Sequence, residues 1–530
     1  MNKKSKPARP RHLDKQLFEA GQQCLKRLWL DHHEPAAEAP SAVRQEMSKA
    51  GDRLRDLARS AFPKGVAIAA EAAEDAAAET QTRLAEGAQV LFGATFVADG
   101  VEARCDILVV HKTAAANATD AGAREVDLFE IKSGTKVKPR YVNDLALQAM
   151  VLARCGLRLR AAFLLHVNPR YAHKEGTEFP PMQLLRSADV TAKVQKQLEP
   201  VQRRVDQFQK ALANPSVLEL PVGTFCTQPF PCPHLARCLR EAPPLPLREL
   251  PELTRKLEIE LHKEGIEELT ALDPKRPGLT FRQRRSLTSV QQNQLIVEPF
   301  VNTELLQCTK PLHFLAMATV TDPLPRFDDQ RPWRSTPYAW SAHTVHPDGR
   351  LEVASFVHVD RTDPRKAFAT SLAKHLEVGG TILCWGADAL GEVRGLLDDL
   401  PSAKAAVRAL LSRPHLDMMR LFESGVFHPQ LRSLDDLRQA VAALLDDHSG
   451  GEVVVFDEES LLTTLQRAQT PRARSATKEK VASEIKDALA WHSERLLQLY
   501  RKFAQVEPKA PKPAPVPRPR AAKPLPRLPE

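Results

Sequence analysis

Alternating strand-like and helical segments are the feature that most limits how this chain can fold. Apolar, β-branched runs predict four strands, at 88–98, 101–111, 126–131 and 161–167. A polar, alanine-rich insert at 112–124 is expected to form the hairpin loop between the second and third strands. A helical pattern over 141–154 separates the last two strands. Strands and helices in this order predict a mixed α/β domain.

The rest of the chain adds further helices and a second α/β pattern. Helices are also expected at 13–32, 42–61, 69–87 and 185–213. The second pattern has strands near 312–320, 351–359 and 381–385, and helices near 364–377, 388–399, 434–446 and 478–503. A chain of 530 residues is too long for one hydrophobic core. We therefore predict a basic arm at 1–12, a first domain at 13–242, a small helical connector at 249–300, a second domain at 305–503 and a disordered, proline-rich tail at 508–530.

The net charge of +9 is concentrated at the two ends of the chain. Residues 1–12 carry five lysines and arginines without an acid, and residues 508–530 carry six against Glu530. The remaining body has a formal charge of −1. Basic tails attract phosphate backbones without reading sequence, and they also simply help to keep a protein in solution. Both explanations stay open at this stage.

The apolar runs of the sequence are too short for membrane insertion. Hydrophobic residues make up 43% of the chain, as in globular proteins, yet no run of about 18 apolar residues occurs. The opening segment Met1–Lys6 has no apolar signal-peptide core. We therefore expect a soluble, cytoplasmic protein without a membrane partner.

Asp106, Glu130 and Lys132 form the first constellation of reactive side chains. Because side chains alternate along a strand, Glu130 and Lys132 share one face, and Phe129 and Ile131 share the other. A carboxylate from the neighbouring strand, Asp106, can complete an oxygen-rich site for Mg²⁺ or Mn²⁺. Such an ion activates a water molecule, and a lysine beside it stabilises an anionic phosphorus centre. A Glu-x-Lys triplet alone also arises by chance on surface strands, so its context carries the assignment.

That context resembles a known nuclease fold. The order Asp106, hairpin, Glu130-Ile131-Lys132 and then a helix with Gln148 resembles the PD-(D/E)xK nucleases, in particular their RecB-like branch. The resemblance implies that Asp106 and Glu130 bind the metal ion and that Lys132 is catalytic. It also implies that Gln148 makes a supporting contact beside the site.

The chain departs from that family at two positions. Leu152 stands where a tyrosine is common, four residues after the glutamine. Gly93 stands at a strand position equivalent to one that often carries a further acid or histidine. Glu46 or Asp52, on an early helix, are the alternatives for that missing metal ligand.

Three of the eight cysteines lie within 13 residues, as Cys226-x5-Cys232-x5-Cys238. Disulfides are disfavoured in a reducing cytosol, and zinc sites usually have closer C-x2–4-C pairs. Thiolates on a looped segment suit a [4Fe-4S] cluster, which needs a fourth ligand. The other thiols lie in apolar runs that are typical of core positions, at Cys105, Cys155, Cys308 and Cys384.

The fourth ligand is indicated by a second resemblance. Cys24 resembles the lone upstream cysteine of iron–sulfur RecB-like nucleases, in which one early and three late cysteines close the nuclease domain. The resemblance implies that Cys24, Cys226, Cys232 and Cys238 bind the cluster. They bracket the Asp106 to Lys132 region, as in those proteins. The alternative for Cys24 is ordinary packing on an apolar helix face.

Residues 13–503 together resemble an uncharacterised bacterial family in which an iron–sulfur RecB-like domain precedes a DnaQ-like (RNase H-like) exonuclease domain. In that family two acids of the opening strand bind metal ions, but here Ala316 and Ala318 stand at both positions. The resemblance therefore implies a pseudo-exonuclease domain, kept for its shape, for binding single strands or for docking a partner. A rearranged site around Asp388, Glu392 and Asp417 is the alternative.

These patterns together predict a Mg²⁺- or Mn²⁺-dependent DNA nuclease with a structural [4Fe-4S] cluster. The resemblance implies that its substrates are single-stranded DNA or duplex ends, in repair or in defence against foreign DNA. The sequence has no G-x-x-x-x-G-K-[ST] phosphate loop, so unwinding would require a helicase or another partner. Residues 249–300 are either a DNA-contacting insert or a spacer with solvated charges. Two alternatives remain for the whole chain: a non-catalytic nucleic-acid-binding scaffold with two decayed nuclease folds, and a zinc-stapled interaction protein.

Overall fold

The computed structural model describes residues 11–35, 42–111, 124–386, 389–431, 433–446 and 457–505. The predicted arm at 1–12, hairpin loop at 112–124 and tail at 508–530 lie wholly or almost wholly outside these residues. The described chain alternates helices with strands that form three sheets, so the mixed α/β class is confirmed. None of the helices within the described ranges is both long and apolar enough to cross a membrane.

The first domain is built on a six-stranded sheet. Its helices are α1 (Lys15–Gln23), α2 (Leu25–His33), α3 (Ala42–Ser60), α4 (Ala73–Ala85), α5 (Pro139–Arg154), α6 (Pro181–Leu184), α7 (Thr191–Leu212) and α8 (Leu235–Glu241). Its strands are β1 (Val66–Ala67), β2 (Val90–Ala98), β3 (Val101–Val110), β4 (Arg124–Lys132), β5 (Leu157–Val167) and β6 (Leu185–Asp189). They lie side by side in chain order, with parallel pairing only for β1 with β2 and for β4 with β5.

The two faces of this sheet are covered by different helices. Along β4, Val126 and Leu128 pack into the core formed with α5 and α7. The intervening side chains Phe129 and Ile131 pack on the opposite face, with Leu54 of α3. Alternation along the strand therefore directs Glu130 and Lys132 toward the α5 side, as predicted from the sequence.

Two predicted helices are shorter than expected. The segment 13–32 is divided into α1 and α2 by Cys24, whose backbone is extended, at φ −162° and ψ 130°. The helix predicted at 185–213 begins only at Thr191, because Leu185–Asp189 pairs with β5 as an antiparallel edge strand.

The connector and second domain contain the remaining elements. Their helices are α9 (Arg255–Lys263), α10 (Phe281–Gln292), α11 (Pro299–Leu306), α12 (Arg365–His375), α13 (Ala389–Arg394), α14 (Leu396–Asp399), α15 (Lys404–Leu411), α16 (Met418–Gly425), α17 (Leu437–Leu445), α18 (Glu458–Ala468) and α19 (Ser475–Ala504). Their strands are β7 (Ile296–Val297), β8 (Leu312–Thr321), β9 (Ser335–Val345), β10 (Leu351–Val357), β11 (Thr381–Cys384), β12 (His415–Asp417) and β13 (Val426–Phe427). The main sheet has the order β10-β9-β8-β11-β12. Strand β9 runs antiparallel to both β10 and β8, whereas β8, β11 and β12 are parallel to one another.

The segment between β8 and β9, residues 322–334, reaches across to the first domain, and we call it the β8–β9 arch. Leu324 and Trp333 of this arch join the apolar cluster that contains Ile131 of β4. The Trp333 indole Nε1 donates a hydrogen bond of 2.6 Å to the carbonyl oxygen of Ser133, the residue after Lys132. Trp333 adopts a left-handed backbone, at φ 62°, which a non-glycine residue holds only when its surroundings impose it. The second domain therefore braces the end of β4.

Replacing this indole should loosen the contact between the two domains. Trp333→Phe keeps an aromatic ring but removes the hydrogen bond to Ser133, at a cost of about 1 kcal/mol. For a domain of this size, we expect the unfolding midpoint of the first domain to fall by about 2–4 °C in calorimetry. Trp29→Phe, which removes an indole outside the arch, serves as the control. Equal midpoints for Trp333→Phe and wild type would contradict the bracing role.

Candidate functional site

Asp106 and Glu130 lie where strands β3 and β4 separate. The last paired residues of the two strands on this side are Ile107 and Phe129. Beyond them the Asp106 carboxylate replaces the next strand contact, because its Oδ2 accepts a hydrogen bond of 2.8 Å from the backbone N–H of Ile131. The two carboxyl groups consequently stand close enough for the charge of Glu130 to act on Asp106.

Helix α5 presents three polar side chains to this point. Tyr141, Asp144 and Gln148 follow the i, i+3, i+7 spacing of a single helix face. The amide Nε2 of Gln148 donates to Glu130 Oε2 at 2.9 Å. The Lys132 ammonium lies 2.9 Å from Glu130 Oε1, 2.7 Å from Asp144 Oδ2 and 4.9 Å from the centre of the Tyr141 ring. The structure thus brings Glu130, Lys132 and Gln148 into direct contact, with Asp106 beside them.

Helix α1 contributes a lysine that sequence reasoning did not identify. The Lys15 ammonium contacts Glu130 Oε1 and lies 3.7 Å from Asp144 Oδ2. Glu19, one turn further along α1, has a pKa raised first by burial and then by the charge of Asp144. The i, i+4 spacing of Lys15 and Glu19 was the only local signal, and it is common on surface helices.

Three carboxyl groups share two ammonium groups in this cluster. Burial, and next the charge of Glu130, raise the pKa of Asp106 to about 6. Burial opposes ionisation of Glu130 as well, but Lys15 and Lys132 hold its pKa well below the usual range. The pKa of Lys15 is well above its usual value, because the charges of Glu130, Asp144 and Asp106 outweigh the effect of burial. Asp106 therefore carries a negative charge less readily than Glu130 does.

Two polar atoms of the cluster are buried without a partner. Within the described part of the chain, Asp144 Oδ1 and Gln148 Oε1 have no hydrogen-bond partner. An unsatisfied buried acceptor costs about 1–3 kcal/mol. Asp144 is fully buried and Gln148 is 2% exposed, so both atoms lie in the interior of the domain.

The two positions that depart from the nuclease family have structural explanations. Leu152 is buried in the apolar core, and Tyr141, at the other end of α5, supplies the tyrosine ring beside Lys132. Gly93 lies between Phe92 and Ala94, which pair with Ile107 and Cys105 on either side of Asp106. Its backbone is left-handed, at φ 70°, which favours glycine. A Cβ atom at Gly93 would have no heavy atom within 4 Å in the described structure, so the space beside Asp106 is open.

The two alternative ligands on α3 have other partners. Glu46 pairs with Lys49 at 2.6 Å, and Asp52 pairs with Arg55 on the same helix. Arg55 itself acts on the site, because its charge opposes the rise in the pKa of Asp106. Helix α3 therefore acts on Asp106 through the positive charge of Arg55, and neither of its two candidate acids takes the place of a third metal ligand.

The donor set fits a hard divalent cation, although the side chains are not arranged around one. Among the described residues, no three His, Cys, Asp or Glu side chains are placed closely enough to hold a metal ion. Lys15 and Lys132 occupy Glu130 Oε1 in the present arrangement. Lys15 is 38% exposed and has a flexible four-carbon stem, so it can vacate that oxygen. Asp106 and Glu130 then offer the carboxylate oxygens that Mg²⁺ and Mn²⁺ prefer.

The four cysteines assigned to the cluster line one cavity. Cys24 separates α1 from α2, Cys226 ends a 3₁₀ turn at Thr224–Cys226, and Cys238 lies in α8. Together with Cys232 they surround the same small cavity, and all four are free thiols. The amide Nε2 of Gln23 donates to the carbonyl oxygens of both Phe225 and Phe230 at 2.8 Å, which ties the end of α1 to the late cysteine segment.

Burial disfavours the thiolate form of three of these cysteines, and nearby positive groups offset part of that effect. Burial raises the pKa of Cys24, of Cys238 and, to about 11, of Cys232. At Cys24 the backbone N–H groups of Lys26 and Arg27 oppose this rise in pKa. The charge of Lys26 opposes it at Cys238, and the charge of Arg27 opposes it at Cys232. Cys226 is buried and the other three cysteines are half-buried. Four thiols around one cavity match the donor set of an iron–sulfur or a zinc site.

Helix α1 connects the cluster around Glu130 with the four cysteines, and it packs closely on α7. A Cβ atom at Gly21 would lie 2.8 Å from the Phe208 ring, closer than side chains tolerate. We expect Gly21→Ala to force α1 away from α7 and to destabilise the first domain by about 1–3 kcal/mol in denaturant unfolding. Gly51→Ala on α3, whose Cβ atom would meet nothing closer than 3.7 Å, is the matched control. That control should be neutral or stabilising, and equal effects of both would contradict the packing argument.

The second domain has a cavity beside the two alanines of strand β8. Ala316 and Ala318 of β8 help to line a cavity of about 610 Å³. Across it, burial lowers the pKa of His492 in α19 to about 4. Ser493, its neighbour on α19, forms a hydrogen bond with His343 Nδ1 at 2.8 Å. Alanine has no atom that can coordinate a cation, so these two strand positions offer no metal ligand to the cavity.

Two of the three residues of the alternative acidic site, Glu392 and Asp417, lie within the described part of the second domain. Asp417 caps helix α16, since its Oδ1 accepts from the backbone N–H groups of Met419 and Gly386 at 3.0 and 3.2 Å. Glu392 lines the cavity and meets Thr319 at 3.5 Å. Asp388 lies outside the described residues. Asp417 therefore has a structural role, which leaves a site around these three residues without support.

Comparisons with known proteins place only part of the chain. No curated protein matches its sequence. A family model described as a domain of unknown function, DUF2779, matches residues 313–434. The match begins in β8, extends past β13 and covers about a quarter of the chain. The second domain is thus similar to an uncharacterised family in the region that contains Ala316 and Ala318.

Proposed function

We propose that this protein is a metal-dependent DNA nuclease whose chemistry takes place at Asp106, Glu130 and Lys132. The observation that carries the proposal is the buried cluster in which Glu130, 1% exposed, contacts Lys132 and Gln148, each at 2.9 Å. Buried groups with perturbed pKa values concentrate at functional sites. An ion-pair network with a purely structural role would be expected to satisfy its polar atoms, whereas Asp144 Oδ1 has no partner among the described residues.

Each residue of the cluster then has a chemical role. Asp106 and Glu130 would hold Mg²⁺ or Mn²⁺, which supplies an activated water molecule and neutralises charge on the scissile phosphate. Gln148 fixes the orientation of the Glu130 carboxylate through its Nε2 hydrogen bond. Asp144 holds the Lys132 ammonium, which faces the phosphate and stabilises the negative charge that builds up on it.

For the cysteines we propose a structural [4Fe-4S] cluster bound by Cys24, Cys226, Cys232 and Cys238. Support comes from their convergence on one cavity and from the positive groups around them. The cluster would link the α1–α2 junction to the 226–238 segment and so close the domain around the nuclease site. Zinc is the competing occupant.

The second domain is proposed to be a pseudo-exonuclease that supports the first. Its sheet, with β8 at the centre, β9 antiparallel and β11 and β12 parallel, has the strand order of RNase H-like domains. The alanines at 316 and 318 argue against catalysis there, and the hydrogen bond from Trp333 to Ser133 argues for a bracing role.

The test is cleavage of end-labelled single- and double-stranded DNA by anaerobically prepared protein, with Mn²⁺, with Mg²⁺ and with EDTA. Metal-dependent cleavage is expected, and the product ladder would show the direction of attack. DNA binding without cleavage would favour the non-catalytic scaffold. A cytoplasmic role in repair or in defence against foreign DNA, with a helicase as partner, remains the broader proposal.

A further inference from the structure

A cavity of about 700 Å³ lies between α7, the α1–α2 junction and α9 of the connector. Its wall contains the apolar side chains of Phe208, Phe225 and Ile259, and cationic groups surround them. In the described structure no aspartate or glutamate lines it. A cavity of this size with an apolar wall and a few polar groups is typical of a ligand site, and its charge selects an anion.

Arg204 on α7 gives the cavity an unsatisfied cation. Its Nη1 atom is buried, and the described residues offer it no hydrogen-bond partner. The neighbouring α7 residues Val201 and Val205 are fully buried in the core, which anchors the stem of Arg204. Arg204 is half-buried overall. Because a buried cationic N–H group without a partner is costly, the Nη1 atom in the cavity wall indicates an anionic ligand.

The opposite wall offers an aromatic surface. The Arg255 guanidinium lies 4.8 Å from the centre of the Phe225 ring, so a ring and a cation stand together there. Ile259 of the connector is 41% exposed and extends the apolar surface. Aromatic and cationic groups in one groove suit a nucleotide, whose base stacks while its phosphate pairs with arginine.

Helix α1 sets the distance between this cavity and the candidate metal site. Lys15, at its start, contacts Glu130, whereas Gln22 and Gln23, at its end, line the cavity. Seven or eight helical residues span about 11 Å, and a stacked strand carries one phosphate per roughly 3.4 Å. We propose that the cavity binds a nucleotide of the substrate strand about three positions from the scissile phosphate, with its phosphate on Arg204 and its base against Phe225. This inference rests on the proposed nuclease function and names a strand-binding subsite for it.

The experiment measures binding of a fluorescent twelve-residue oligothymidylate to the full chain in EDTA, so that cleavage plays no part. Arg204→Gln should raise Kd about tenfold and reduce the salt dependence of log Kd by about one phosphate contact. Arg203→Gln is the matched control, because Arg203 is the preceding residue of α7, pairs with Glu199 and lies outside the cavity. Equal Kd values for the two variants would overturn the subsite.

A second variant tests the subsite at a position other than Arg204, so that the result does not depend on whether Arg204→Gln folds correctly. Ile259→Asp adds a negative charge at an exposed position of the wall, and it should also weaken binding about tenfold at low salt. Unchanged binding by Ile259→Asp would likewise count against the subsite. If wild type binds and cleaves DNA but neither variant differs from it, only this inference fails. If wild type binds no DNA, the proposed nuclease function fails with it.

Discussion

Lys132→Ala should lower the rate of Mn²⁺-dependent DNA cleavage by about 10²–10³-fold, the usual cost of removing one preorganised group that stabilises charge in a transition state. The ammonium is 13% exposed and is fixed by Glu130 at 2.9 Å and Asp144 at 2.7 Å, so no solvent cation can reproduce its position. Single-turnover cleavage of end-labelled DNA, with wild type and variant prepared without oxygen, measures the effect.

Removal of Lys132 also takes away a positive charge that neutralises Glu130 and Asp144. A loss of stability therefore has to be separated from a loss of catalytic activity. Glu130→Gln preserves the size of the side chain but removes the proposed metal-binding charge, and it should be equally inactive. Lys136→Ala, in the exposed loop after β4, is the control for a missing lysine and should cleave normally. Thermal unfolding of all three variants shows whether each is folded at the assay temperature.

Each outcome of this comparison leads to a different conclusion. Cleavage that is equal in wild type and Lys132→Ala would mean that the activity belongs to a contaminant or to the second domain. DNA binding without cleavage by any of the proteins would support the scaffold. Loss of cleavage in folded Lys132→Ala and Glu130→Gln would assign the chemistry to the first domain.

Strand alternation predicted the shared face of Glu130 and Lys132, whereas Gln148 was expected only from the resemblance to the PD-(D/E)xK nucleases. Glu130 and Lys132 share a face because they are two residues apart on β4, and Gln148 follows on the next helix. Lys15 could not be predicted in the same way, since 115 residues separate it from Glu130 and no local pattern records that contact. Asp144 was within reach, because its spacing from Gln148 on α5 is that of one helix face.

Strand β9, which pairs with the central strand β8, escaped sequence prediction for a related reason. Its segment Ser335–Val345 contains a proline and several polar residues, so it lacks the apolar run that indicates a buried strand. In the structure, two of those polar side chains are buried with partners: His343 bonds to Ser493 at 2.8 Å, and Thr344 bonds to His313 at 3.0 Å. Hydrogen bonds to distant segments offset the free-energy cost of burying these polar side chains, and only the folded chain brings those partners together.

The proposed [4Fe-4S] cluster leads to the second large effect. Protein purified without oxygen should be brown and contain about four irons per chain, and Cys232→Ser should lose most of both the colour and the iron. Cys308→Ser is the matched control, since Cys308 lies in the second domain, outside the cavity that the four cysteines line. Iron analysis and the visible absorption spectrum measure the difference.

Loss of the cluster should also destabilise the first domain strongly. A link between Cys24 and the 226–238 segment closes a loop of about 200 residues, and a cross-link over such a loop contributes on the order of 5 kcal/mol by loop entropy. For a domain of this size that corresponds to a fall in unfolding midpoint of about 10–20 °C. Cys308→Ser should leave the midpoint within about 2 °C of wild type.

Colourless protein with one zinc per chain would reject the iron–sulfur assignment. An equally large loss of stability in Cys232→Ser would then show that the zinc ion still closes the domain. Unchanged stability together with unchanged metal content would mean that the four thiols only pack against one another, and the domain would then be held by contacts such as those of Gln23 with Phe225 and Phe230.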